Sequence, residues 1–229
     1  MYRHLDWILF WFLVFVGVFV NCLLNCMMGQ STVALTVLAQ ERPLFLREYV
    51  TKTYSIGSFV LVKLLVELFD TFVSLMIQCL MIYYIVELKM NFFAFFGISM
   101  LTSLSATSLA SFLGFSVKDT QFALALFPMV ILPQFYFSGV LVPLSFIPGW
   151  LRWMQYLCSL WYALALCLIY EFEECDEFEK PYCDALLERQ QIDKDDKEGV
   201  YWLGHLSYNY SWVQIHVHLA HKSQGTILM

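Results

Sequence analysis

The sequence predicts an all-α, polytopic membrane protein, and three features carry that reading. Hydrophobic residues fill 60% of the 229 positions and charged residues 14%, against about 25% charged in a soluble domain. The chain therefore lacks the polar surface to face water on all sides. Its apolar residues are gathered in long blocks, several of which reach the ~20 residues that one helix needs to cross a bilayer. Charge is segregated as well: twelve of the 19 acidic residues fall between Glu171 and Glu198, beside four basic ones, and the rest of the chain is near neutral. A net charge of −6 held in one loop leaves no basic patch for a nucleic-acid backbone, so nucleic acid is excluded as a partner.

The elements follow in order. Trp7 to about Ala39 has no proline or charged turn inside it, so it reads as one long tilted helix of roughly 50 Å. Arg3 and His4 precede it, but the run far exceeds the ~7–15-residue core of a signal peptide and offers no small-residue cleavage site. From Leu44 to Lys52, Leu44, Phe45, Tyr49 and Val50 alternate with Arg47, Glu48 and Lys52. This is the pattern of a short amphipathic helix in the interface, with Pro43 in a first turn that needs no amide hydrogen. Further spans are expected within 54–86, over 92–115 and over 121–142. The 92–115 span is rich in the small residues that let helices approach closely. The last carries Pro128 and Pro133, which predict a kink.

Residues 143–170 open with Pro143, Pro148 and Gly149 and hold Trp150, Trp153, Tyr156, Trp161 and Tyr162. Aromatics at this density belong at the headgroup level, so the segment reads as a re-entrant hairpin, with a fifth crossing as the alternative. Residues 176–229 read as an acidic extracytoplasmic loop and a mixed tail. Arg42, Arg47 and Lys52 place the first connection on the cytoplasmic side. Alternation then puts Glu87–Asn91 outside, Ser116–Thr120 inside and the chain from Pro143 outside. The protein is expected to be integral and multi-pass, in contact with membrane lipid.

Few constellations carry chemistry. Lys63, Glu67 and Asp70 occupy successive turns of one helix face. Ionisable residues inside a span often mark a pathway; the plainer reading pairs them with one another and with headgroups near the cytoplasmic end. Cys22, Cys26, Cys79, Cys158 and Cys167 lie in apolar segments, where free cysteine acts as a small hydrophobe. Cys175 and Cys183 lie in the acidic loop, where a disulfide between them is permitted and two free thiols are the alternative. Asn209-Tyr210-Ser211 matches the glycosylation acceptor pattern. His216, His218 and His221 have no acidic or cysteine ligand close by, so no metal site is expected. The sequence contains no GxxxxGK[ST] loop, GxSxG elbow or HExxH motif, so it shows no catalytic residues.

The polar stretch Gln40-Glu41-Arg42-Pro43-Leu44-Phe45-Leu46-Arg47-Glu48-Tyr49 resembles the E-R-x-x-F-x-R-E signature of subfamily G ABC transporters, the white and pleiotropic-drug-resistance type. Further similarities follow in the family's order: Tyr54 with Lys63-Leu64-Leu65-Val66-Glu67, then Phe137 to Val142, then Trp150 to Tyr156, Trp161-Tyr162-Ala163 and Glu171-Phe172. Together they cover about residues 22–175. The resemblance implies the transmembrane fold of an ABC type-2 exporter of lipid-like or amphipathic compounds. ATP and Mg would be held by a partner nucleotide-binding domain, not by any cofactor in this chain, and a second transmembrane half would complete a homo- or heterodimer. It also implies that the chain lacks the first and last of the family's six helices, so that it is a fragment or an orphaned half acting as a membrane interaction protein without transport. By the same resemblance, Cys26, Gly29, Gln30, Pro128 and Phe135 would line the substrate cavity, with Gly29 where some members carry an aromatic clamp. Val140 and Leu141 would form the exit constriction. Glu41, Arg42, Arg47, Glu48 and Lys118 would couple to the ATPase domain.

Overall fold

The structure, a computed structural model, describes residues 2–50, 56–117, 120–139 and 147–171 and positions 202, 204 and 206. Its helices are α1 (Tyr2–Val50), α2 (Ile56–Val86), α3 (Phe92–Ser116), α4 (Thr120–Phe137) and α5 (Ser159–Glu171), with a 3-10 helix at Arg152–Leu157 before α5. No strand occurs among the described residues. A backbone in lipid must satisfy its amides and carbonyls internally, and helices do so within each segment. Three stretches are long and apolar enough to cross a bilayer: Val14–Leu38, Leu61–Val86 and Phe92–Gly114.

α1 runs unbroken for 49 residues, about 74 Å of helix. Leu44 to Val50 therefore continue α1 and do not form a separate connecting helix; Thr51 and Lys52 lie outside the described residues. Pro43 removes one amide donor from the ladder, but Leu44-Phe45-Leu46-Arg47-Glu48 offers no glycine or turn former, so the helix resumes beyond it. Because the apolar stretch of α1 ends at Leu38, its last twelve residues extend about 18 Å beyond that stretch.

α3 is the helix around which the others pack: α1 along most of its length, then α2, α5 and α4. Its sequence explains this. Ser99, Thr102, Ser103, Ser105, Thr107 and Ser111 are all buried, and several return their hydroxyls to their own helix. Thr102 Oγ1 donates to the Ile98 carbonyl at 2.7 Å, and Ser105 Oγ to the Thr102 carbonyl at 2.7 Å. These two hydroxyls are thus satisfied locally, while the short side chains let neighbouring backbones come close.

α1 lies parallel to α3, and their contacts advance together along both. The rings of Phe19 and Phe95 meet edge to face at 6.1 Å, Ser103 Oγ donates to the Cys26 carbonyl at 3.2 Å, and Leu35 and Leu38 cover Gly114. A Cβ on Gly114 would stand 2.8 Å from Leu38 Cδ2 and 3.1 Å from Leu35 Cδ1, so any side chain there makes the ends of these two leucines shift. With α1 and α3 parallel, the end of α1 and the end of α3 near Ser116 share one end of the bundle. The α2–α3 turn, Glu87–Asn91, occupies the other.

α4 passes through Pro128 and Pro133 as one helix of 18 residues. The two prolines leave the carbonyls of Leu124 and Met129 without amide partners, and both prolines are exposed. The helix stops at Phe137, short of the expected Val142. Ser138 Oγ folds back onto the Phe135 carbonyl at 2.7 Å, and Gly139 takes a left-handed φ of 82°, the usual way of closing a helix C-terminus.

α5 is antiparallel to α3. At its start the Ser159 hydroxyl lies 2.9 Å from that of Ser105, midway along α3, and donates to Gln134 Oε1 of α4 at 3.4 Å. At its end, buried Glu171 accepts hydrogen bonds from the amides of Lys89 and Met90 in the α2–α3 turn, both at 3.2 Å. Glu171 is therefore not the first acid of a solvated loop; it satisfies a turn that Glu87, at φ 54°, bends through the left-handed region. With 13 residues, α5 measures about 20 Å, short of the ~30 Å hydrocarbon thickness. Beyond it, Trp202 packs against the core, its indole Nε1 donating to Tyr170 Oη at 3.2 Å.

Gly114→Leu is expected to force α1 and α3 apart at a cost of about 1–3 kcal/mol, lowering the unfolding midpoint in detergent by several degrees. Gly114→Ala, whose methyl meets only mobile leucine ends, should lower it much less. Scanning fluorimetry of the two variants beside the wild type makes the comparison.

Candidate functional site

The charged residues of α2 gather where α2 crosses the end of α1. Lys63 sits on the third turn of α2, and its Nζ lies 2.6 Å from Glu41 Oε2, a residue of the polar stretch on α1. The lysine side chain is 13% exposed and the glutamate 41%. Lys63 is thus turned toward Glu41 and not toward Glu67, the partner expected from helical spacing. The pair fixes α2 to α1 beyond the apolar window of α1.

Beside it lies a cavity of about 360 Å³ between α1, α2 and α3, whose polar lining comprises Gln30, Lys63, Glu67, Asp70, Thr71 and Thr107. The helical spacing that sets Lys63, Glu67 and Asp70 on one face of α2 therefore brings all three to one place, with Gln30 opposite. Thr71 and Thr107 were not anticipated. Both are buried, and their positions show no sequence signal beyond a hydroxyl in an apolar helix.

The five residues that the resemblance would place around a substrate cavity do not line one within this single chain. Gln30 faces the α1–α2 cavity. Cys26 is fully buried in the core. Gly29 is exposed, with no atom within 4 Å of where a Cβ would be. Pro128 is exposed on α4, and Phe135 is half-buried against the core. Arg47 is exposed near the end of α1. The side chains of Arg42 and Glu48, and residues Lys118, Val140, Leu141, Cys175, Cys183 and Asn209, lie outside the described residues.

Cys22, Cys26, Cys79, Cys158 and Cys167 are free and buried. At the start of α5, Cys158 Sγ donates to the Met154 carbonyl at 3.3 Å. It is a packed side chain of the core. No group of three His, Cys, Asp or Glu that could hold a metal occurs among the described residues.

A helical bundle with three membrane-crossing stretches, an α1 that outruns the bilayer, and an ion pair at that projecting end define a polytopic membrane domain. Residues 5–172 match the family model described as ABC-2 type transporter, and the chain belongs to that family. It is an integral, multi-pass membrane component of the ABC-transporter type. Among similar proteins, the broad substrate specificity ATP-binding cassette transporter ABCG2 of Bos taurus is 32% identical over 133 residues, 56% of this chain and 20% of the relative. The ABCG2 of Rattus norvegicus is 32% identical over 131 residues, 55% and 20% of the two chains. ABC transporter G family member 1 of Dictyostelium discoideum is 25% identical over 138 residues, 57% and 17%. The matches thus span about a fifth of the length of these curated relatives.

The ion pair has unequal halves. Glu41→Ala strands a nearly buried ammonium, with an expected loss of about 3 kcal/mol, moderated where Lys63 swings to Glu67 one turn away. Lys63→Met leaves a carboxylate already half in water, with an expected loss below about 1 kcal/mol. Thermal unfolding in nanodiscs should rank Glu41→Ala well below Lys63→Met.

Proposed function

We propose that this chain forms the membrane-spanning part of an ATP-driven exporter of lipid-like or amphipathic compounds. The nucleotide-binding domain that hydrolyses ATP is supplied by a partner or by sequence outside these 229 residues, and a second transmembrane half completes the pathway. The observation that carries the reading is the projecting end of α1, held to α2 through Glu41 and Lys63. A rigid helix that begins in the bilayer and continues about 18 Å beyond its apolar stretch acts as a lever: force applied at Arg47 and Glu48 by an ATPase domain reaches α2 through the ion pair and α3 through the packed face around Cys26 and Gly114. Membership of the family supports the coarse assignment, and a relative described as a broad substrate specificity ATP-binding cassette transporter supports an ATP-driven role.

The same reading assigns α5 to a re-entrant hairpin. Its start at the depth of Ser105 and its end at the α2–α3 turn suit a segment that enters to mid-bilayer and returns. In this reading Val140 and Leu141 would form the exit constriction, as the family resemblance implies. The Lys118 turn would share the coupling end with Arg42. Cys175, Cys183 and Asn209 would fall on the outer side, where a disulfide and glycosylation are chemically permitted.

In vesicles where the chain is co-expressed with an intact subfamily G half-transporter, ATP-dependent accumulation of a fluorescent amphiphile is expected above that of the half-transporter alone. Glu41→Ala with Arg47→Ala should cut that transport at least about fivefold, in keeping with loss of a coupling contact of about 1 kcal/mol or more, while the chain still reaches the membrane. No ATP-dependent accumulation with normal membrane insertion would favour a non-transporting interaction role instead.

A further inference from the structure

The cavity between α1, α2 and α3 has a polar lining that the transport reading does not use. Gln30, Glu67, Asp70 and Thr71 all face it, and none makes a hydrogen bond or ion pair with any described residue. Buried polar groups almost always find partners, and inside a bilayer water supplies few. Thr71 is 2% exposed, so the cavity is what its hydroxyl has left to meet. This buried hydroxyl, the half-buried Gln30 and Glu67 and the exposed Asp70 converge on about 360 Å³, which matches the size and chemistry of a small-ligand site.

The charge and shape of the lining select the ligand. Lys63 is engaged by Glu41 at 2.6 Å, which leaves Glu67 and Asp70 as the carboxyl groups of the lining. They stand one turn apart on the same face of α2. An anionic or neutral headgroup finds no unopposed cation there. Two carboxylates with no third metal-binding side chain among the described residues are a poor seat for a metal ion. The rest of the wall is apolar, with Val33, Val37, Val66 and Phe69 running from the cavity to the outer face of the bundle, where Val66 and Phe69 are 61% and 73% exposed.

We propose that this cavity binds an amphiphile with a cationic ammonium head: Glu67 and Asp70 oppose the charge, Gln30 and Thr71 accept its hydrogens, and the tail leaves over Val33, Val37 and Phe69 toward the acyl chains. The site lies within one chain and is complete without a second transmembrane half. It rests on the lining itself, so it stands or falls separately from ATP-driven transport.

The test uses the full chain in phosphatidylcholine nanodiscs, with empty nanodiscs as blank, titrated calorimetrically with tetradecylamine and with tetradecanol. The wild type is expected to bind the amine at least about tenfold more tightly than the alcohol, the scale of one well-placed charge interaction away from water. In the double variant Glu67→Gln, Asp70→Asn that preference should fall below about twofold, and Thr71→Val should weaken the amine alone by about threefold. Both changes keep side-chain shape; Asp70→Asn by itself serves if the double variant does not fold, with a preference between those two values. Native mass spectrometry distinguishes the sources. An amine-bearing lipid that co-purifies with the wild type and not with the variant marks a resident lipid. A lipid-free protein that still prefers the probe marks a ligand arriving from outside. Equal binding of amine and alcohol, a preference that survives the double variant, or no amine binding at all, as when another protein segment fills the cavity, would overturn the proposal.

Discussion

Apolar side chains gain nothing by leaving one another for lipid tails, so a helical bundle in a bilayer must be held by close packing and by polar contacts between helices. α3 meets that constraint. Thr102, Ser105, Thr107 and Ser108 bond their hydroxyls within the helix, which keeps it slim, Ser103 reaches across to α1, and Gly114 lets α1 come close. Each interhelical bond from Ser103 or Ser105 contributes modestly, about 0.6 kcal/mol on average for such contacts in a bilayer. The parallel seam with α1, from the Phe19–Phe95 ring pair to the Gly114 contact, accumulates dispersion along its whole length. Remove α3 and α1, α2, α4 and α5 have few contacts left with one another.

Two charged contacts then decide how the rest is arranged, and they sit at opposite ends. At one end Lys63 and Glu41 hold α2 against the projecting part of α1. At the other, Glu171 satisfies two amides of the α2–α3 turn and so anchors the end of α5. A carboxylate buried at a helix end is expensive unless its oxygens find donors, and a turn strained through Glu87 exposes amides that need an acceptor. Each solves the other's problem. The result is a unit of α1, α2, α3 and α5 held at both ends.

Much of this was legible in the sequence, and for identifiable reasons. The crossings of α1, α2 and α3 are long, uninterrupted apolar runs, and hydropathy reports such runs directly. The face shared by Lys63, Glu67 and Asp70 follows from helical spacing alone, and the family was visible in the ordered polar stretch from Gln40 to Tyr49. What escaped was set by tertiary context. Spacing on α2 suggested Glu67 as the partner of Lys63, because nothing local reveals that Glu41, 22 residues earlier, comes closer. Glu171 read as the edge of an acidic loop because its neighbours on one side are acids, while its burial depends on a turn more than eighty residues away. Pro43 suggested a helix start, yet the strong helix formers around it carry α1 through. The unpartnered state of Gln30 and Thr71 is a property of the assembled cavity, and no linear pattern encodes it.

The central claim is that α5 starts beside the middle of α3 and returns toward the α2–α3 turn, so that the bundle is organised about α3. The direct measurement pairs Ser105→Cys with Ser159→Cys in the membrane-embedded chain and reads the bridged peptide by mass spectrometry after mild oxidation, with each single variant controlling for bridges to native cysteines. Hydroxyls 2.9 Å apart imply β-carbons near the ~3.5–4.5 Å that a disulfide needs, so the account predicts efficient formation of the Ser105→Cys to Ser159→Cys bridge. Failure of that bridge in folded protein, with Ser159→Cys instead cross-linking to a cysteine placed at Phe92 or Ser116 at either end of α3, would contradict it.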